Sequence, residues 1–256
     1  MFAKPLPDNT ERARWASTLL MLNLCLFSIT TICNLLKLFG ERIYYSFYGY
    51  AKIGEGILGL VQFVLMITTA IFFIMWFRRA YNNLHISGAR FLPYTEGWAA
   101  GAWFVPIMNW FAPYRIMNAI WIETPVAIRK TGEHFERPHD NPVGTWWTFW
   151  IIGNVISTLH SQIVLRGGIS MDDSAMIVLE MISDISLVLA AWFGMKLVKR
   201  VAEMEADLQI RYNGWLAYQQ QQQAQQYGYQ QNFGTPPSAF SPPSGFGERN
   251  NFPPQQ

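Results

Sequence analysis

From Trp15 to Leu36 the chain carries no charged residue. As a helix this run is about 33 Å long, enough to cross the hydrocarbon core of a bilayer. Comparable runs recur, and the sequence places spans at about 15–38, 56–77, 146–165 and 174–195. Composition agrees: 51% of residues are hydrophobic and 16% aromatic, against 14% charged, too apolar for a soluble domain. The net charge of +2 and the dispersal of the basic residues exclude nucleic acid as an expected partner. Cys25 and Cys33 fall in the first run, about 12 Å apart along a helix, too far for a disulfide. A cleaved signal peptide would need a shorter apolar core and a small-residue cleavage site. The first run therefore reads as a retained span, with residues 1–14 a cytoplasmic N-terminal segment.

Between the second and third of these spans lies Gly97 to Trp121, GWAAGAWFVPIMNWFAPYRIMNAIW, a tryptophan-rich stretch interrupted by Pro106, Asn109 and Pro113. Each proline removes a backbone donor and disfavours a continuous helix, and unsatisfied backbone in hydrocarbon costs several kcal/mol. If the stretch does not cross, one side holds Lys4, Arg12, Arg14, Arg78, Arg79, Arg90, Arg115, Arg129, Lys130, Arg137, Lys196, Lys199, Arg200 and Arg211. The other side holds Arg42, Lys52 and Arg166, a split of 14 to 3. If it crosses, the split becomes 7 to 10. Cytoplasmic loops carry the excess of Lys and Arg, so the expected architecture is an all-α integral membrane protein with four transmembrane helices and both termini cytoplasmic. Residues 97–122 then form a Pro-broken re-entrant or interfacial segment. Five spans are the alternative. The expected segment has a half-helix over 97–105, a break over 106–111 and a second helix starting near Pro113. In that second helix Ile116, Met117, Ile120 and Trp121 share one face, while Arg115, Asn118 and Glu123 point elsewhere.

The motifs WFRRAYNNL after the second span, the 97–121 stretch and NPVGTWWTFW opening the next span resemble a bacterial multi-pass membrane family, domain of unknown function 4328. The resemblance covers roughly residues 15–205, and Trp103, Pro106, Pro113, Arg115 and Trp121 are positions where it implies the family pattern. It implies one membrane domain in the bacterial cytoplasmic (inner) membrane and transfers no catalytic residue.

Ionisable residues inside spans are functional candidates. Glu180 and Asp184, four apart, share a face of the last span. Helix rise places Asp184 near the midplane, level with Asn154, and Glu180 level with Gln62 and His160, so these five are expected to form a polar seam. The seam reads either as interhelical hydrogen bonding or as a proton or solute pathway. Arg78 and Arg79 read as a stop and topology signal or as a site for an anion or lipid headgroup. Gly54, Gly56, Gly59, Gly97 and Gly101 would permit close helix approach.

Zinc, phosphate-loop and nucleophile-elbow motifs are absent, so no enzyme, metal or cofactor is expected. The group Glu133, His134, Glu136, His139 and Asp140 reads as a solvated loop around Pro138. Leu197, Val201, Met204 and Leu208 continue the last helix past its span with an apolar seam. After a linker at 206–218, residues 219–256 are Gln- and Pro-rich and expected to be disordered. The expected function is non-catalytic: scaffolding, sensing or partner binding through the Trp- and Pro-rich segment. The alternative is binding or transport of a lipid or small solute along the polar seam. Expected partners are membrane lipids, other membrane proteins or a second copy of the chain.

Overall fold

The computed structural model describes residues 4–40, 48–130, 140–166 and 173–233. Among the described residues the regular structure is entirely helical. The elements are α1 (Thr10–Phe39), α2 (Tyr48–Ile86), the short α3 (Trp98–Gly101), a 3-10 turn (Met108–Trp110), α4 (Ala112–Lys130), α5 (Pro142–Arg166) and α6 (Asp173–Phe233). Among the described residues four helices, α1, α2, α5 and α6, are long and apolar enough to cross a membrane. Large apolar side chains such as Ile57, Leu60, Phe63 and Val64 stand exposed along α2, as a lipid-facing surface requires.

The core sits at one end of the bundle. It is built from Leu6, Ala13 and Ala16 before and at the start of α1, and from Phe73, Trp76, Phe77, Tyr81 and Leu84 near the end of α2. Ile116, Met117, Ile120 and Ile128 of α4, Val143, Trp146 and Trp147 of α5, and Leu197 to Leu216 of α6 complete it. Because the starts of α1 and α5 meet the end of α2 and the continuation of α6, the long helices alternate in direction. The N-terminal segment, the 78–130 connection and the extension of α6 therefore share one end, the end that carries most of the basic residues.

Three dispositions follow from sequence chemistry. Pro113 occupies the first turn of α4, where a missing N–H costs nothing, and Ile116, Met117, Ile120 and Trp121 are all buried. Leu197, Val201, Met204 and Leu208 are buried, with α4 and the start of α1 packed on α6. Residues 97–111 form no fifth span, since only Trp98–Gly101 is α-helical there.

Other expectations are corrected. The half-helix over 97–105 stops at Gly101, after which Trp103 and Phe104 bond three residues back in turns instead of four. Glu123, expected to point away from the apolar face, is buried. The glycines expected to mediate close approach do not: a Cβ on Gly54, Gly56, Gly59 or Gly97 would meet nothing, and one on Gly101 only the edge of Trp98 at 4.0 Å. Close approach falls instead at Gly153, against Leu187, and at Gly194, against Trp146. The disorder expected from Gln219 gives way to helix as far as Phe233, for glutamine and alanine are good helix formers even where no core is available. Residues 234–256 lie outside the described residues, as does most of the Glu133–Asp140 group.

Candidate functional site

Trp103 is the aromatic anchor beneath the broken segment. Trp103 lies edge-on to Phe73 and Phe77 of α2, each at 5.9 Å between ring centroids, and to Trp150 of α5 at 5.9 Å and Trp147 at 6.2 Å. Edge-to-face pairs at these separations are favoured by the ring quadrupole. Trp147 in turn donates its indole N–H to the Trp110 carbonyl at 3.3 Å, which ties the 3-10 turn to α5. Phe73 and Phe77 precede Arg78, and Trp147 and Trp150 open α5, so the segment lies at the boundary level of the bundle and not across it.

Much of its backbone is bonded locally. Trp103 N–H reaches the Ala100 carbonyl, Phe104 that of Gly101, and Asn109 that of Val105 at 2.9 Å. Tight turns of this kind stand in for some of the helical bonds that the prolines forbid, which lowers the penalty of orphaned backbone. The side chains between the anchors then face outward: Phe104 is 77% exposed, Ile107 76% and Trp110 56%. Phe91, in the approach to the segment, is exposed too. The result is an apolar, aromatic ridge on a clamped base.

The remaining sequence candidates distribute around it. Pro106 lies exposed in the ridge, while Trp121 is buried in the core. Asn109 Oδ1 and Trp103 Nε1 are buried without a hydrogen-bond partner. The Arg115 guanidinium stands 5.4 Å from the centre of the Phe111 ring, a cation–π arrangement. Arg78 pairs with Glu96 at 3.6 Å, an exposed contact of little energetic weight. Arg79 is half-buried.

Within the spans, Asp184 is buried and accepts the Thr30 hydroxyl of α1 at 2.8 Å. Glu180, one turn away, is half-buried, as are Gln62 and His160. The expected meeting of Asn154 with Asp184 is replaced by a local bond: Asn154 is exposed and its amide returns to the Trp150 carbonyl at 2.7 Å. A second buried contact joins Asn23 of α1 to the Thr69 hydroxyl of α2 at 2.6 Å. We expect a double-mutant cycle of Asn23→Ala and Thr69→Val, read by reversible unfolding in bicelles, to give a coupling of about 0.6 kcal/mol; zero coupling would show that the pair only fills space.

The sequence reading missed one further polar junction. Glu205, beside the apolar seam of α6, meets Asn9 and Asn83. Its only sequence signal is an acid at a position flanked by Val201 and Leu208 on the inward stripe, where a solvated glutamate does not belong.

Fold and site together define a four-helix membrane-type bundle with a tryptophan-anchored, proline-broken segment seated at its polar end. The chain belongs to the family described as Domain of unknown function (DUF4328), whose model matches residues 43–203. The match begins after α1 and takes in the broken segment. No curated protein and no solved structure matches the chain. Among the described residues no three His, Cys, Asp or Glu side chains are grouped to hold a metal ion.

Proposed function

We propose that this chain is a non-catalytic protein of the bacterial cytoplasmic membrane that scaffolds or senses by binding other membrane components through the Trp- and Pro-rich segment. One observation carries the reading. Trp103 is clamped by four aromatic rings while Phe104 and Ile107, one and four residues on, are each more than three-quarters exposed. A rigid base under exposed aromatic and aliphatic side chains is how recognition surfaces limit the entropy lost on binding. The excess of Lys and Arg at this end supports a cytoplasmic orientation.

A photo-crosslinking residue placed at Ile107 in native membranes tests the proposal, with Leu60, exposed on α2, as the control. A discrete protein adduct at Ile107 that is absent at Leu60 and lost with Trp103→Ala supports it; the same lipid-only labelling at both positions overturns it. Topology reporters at Glu133 and after Arg211 should both read cytoplasm, and an outside reading at Glu133 would reverse the orientation argued from charge.

A second reading, lipid or small-solute passage through the bundle, draws on the buried Asp184 carboxyl between α1 and α6. Asp184→Asn separates the two: unchanged folded yield with loss of a cellular phenotype supports passage, while loss of folded protein assigns Asp184 to packing.

A further inference from the structure

Ten residues beyond Met195, about 15 Å further along α6 and past the basic residues that close the apolar run, a carboxyl group is buried where three segments meet. Glu205 is 7% exposed. Its Oε2 accepts from Asn9 Nδ2 at 2.9 Å and its Oε1 from Asn83 Nδ2 at 3.0 Å. Each amide also donates to the main chain, Asn9 to the Trp76 carbonyl and Asn83 to the Pro7 carbonyl, both at 3.2 Å. The same N-terminal segment is tied to α6 by Leu6 N–H on Asn213 Oδ1 at 2.8 Å and by Gln209 Nε2 on the Leu6 carbonyl at 3.2 Å. The carboxyl is thus the common acceptor that joins the segment before α1, the end of α2 and the extension of α6.

Its direct partners are neutral amides. Of the charged groups facing it, Asp8 on the N-terminal segment opposes ionisation and Arg79 on α2 favours it; Arg12 on α1 stands near Arg79. A buried carboxylate hydrogen-bonded to neutral donors, with Asp8 set against Arg79, loses its hydration without a cation paired directly to it, so proton uptake relieves it. The Nδ2 groups of the two asparagines serve the carboxylate as they stand. Their Oδ1 atoms, buried and without partners, would receive the acid O–H if one amide turned end for end and gave up its main-chain bond. A small cleft lined by Asp8, Asn9, Thr10, Asn83, Glu205 and Gln209 gives protons a route from solvent.

We propose that Glu205 is a proton-binding site on the aqueous side of the bundle, and that its occupancy holds the N-terminal segment, residues 4–9, against α2 and α6.

Burial pushes the Glu205 carboxyl up to about 7 from its ordinary 4.5, against the opposing pull of the Asn9 and Asn83 hydrogen bonds. The docked state therefore binds the proton more tightly than the released state. Docking is favoured most below pH 4.5, weakens as pH rises from there to about 7, and changes little above that. Between pH 5 and pH 8 the docking constant should fall on the order of a hundredfold.

Hydrogen-exchange mass spectrometry on the full chain in lipid nanodiscs tests this, following residues 4–12 and correcting for the intrinsic pH dependence of exchange. The wild-type opening constant of this stretch should rise about a hundredfold from pH 5 to pH 8, and Glu205→Gln should hold it nearly constant. An infrared carboxyl titration of the wild type with the same midpoint keeps the test decisive if the variant folds poorly. Wild-type protection that is flat across this range, or an equal pH response in a folded Glu205→Gln chain, overturns the proposal.

Discussion

Trp103→Ala is expected to cost about 3–5 kcal/mol, the range for removing a large aromatic side chain from a packed site. The loss is concentrated because Trp103 contacts four rings at once, on α2 and on α5. No neighbour can close the gap without giving up its own partners: Phe73 also packs on Trp76 and Trp146, and Trp147 is stacked on Trp150 at 4.6 Å. The measurement is thermal unfolding in nanodiscs, where the midpoint should fall by roughly 10 °C. Phe104→Ala, one residue along and largely exposed, should stay within about 0.5 kcal/mol of wild type. If the two variants are equally stable, the segment is not held by Trp103 and the clamped-ridge reading fails. The same variant should raise hydrogen exchange across residues 97–111 while leaving mid-span α1 unchanged, since the damage is local to the polar end.

The four long helices were legible because each rests on a one-dimensional signal, a run of apolar residues about as long as a bilayer is thick. The placement of the broken segment was legible for a different reason. Pro106 and Pro113 act on their own backbone, without knowledge of any contact. What escaped were the features that depend on azimuth. Helix rise says nothing about which way a side chain faces, and Asp184 turns to Thr30 while Asn154 turns outward. The Glu205 junction needs three segments far apart in sequence to converge, Glu205 lying 122 residues from Asn83 and 196 from Asn9, and no local pattern announces Asn9 and Asn83 as partners. The extension of α6 through Gln219–Phe233 is hidden from composition because a stretch too polar to build a core can still keep a helical backbone.

The glycines show the same limit most sharply, and Gly153→Val is the second large effect expected. A Cβ on Gly153 would stand 2.7 Å from both Cγ and Cδ2 of Leu187 and 3.4 Å from the Leu187 backbone nitrogen. Leu187 can yield only in part, because the backbone behind it is also near. The crossing is further fixed by the Ser183 hydroxyl, which donates to the Gly153 carbonyl at 3.0 Å and ties α6 to α5 one turn from Leu187. Valine adds two methyl groups to this contact, and overpacking of that kind costs typically about 1–3 kcal/mol; separating the helices would also forfeit the Ser183 bond. Gly59 gives the opposite expectation. A Cβ there meets nothing, so Gly59→Ala should stabilise α2 by about 0.5–1 kcal/mol through helix propensity alone. Paired unfolding measurements in one lipid composition decide the matter by sign: Gly153→Val lowers stability and Gly59→Ala raises it or leaves it unchanged. A Gly153→Val chain as stable as wild type would mean that α5 and α6 do not cross at this residue, and the packing that places Trp147 and Trp150 beneath the broken segment would have to be redrawn from that contact outward.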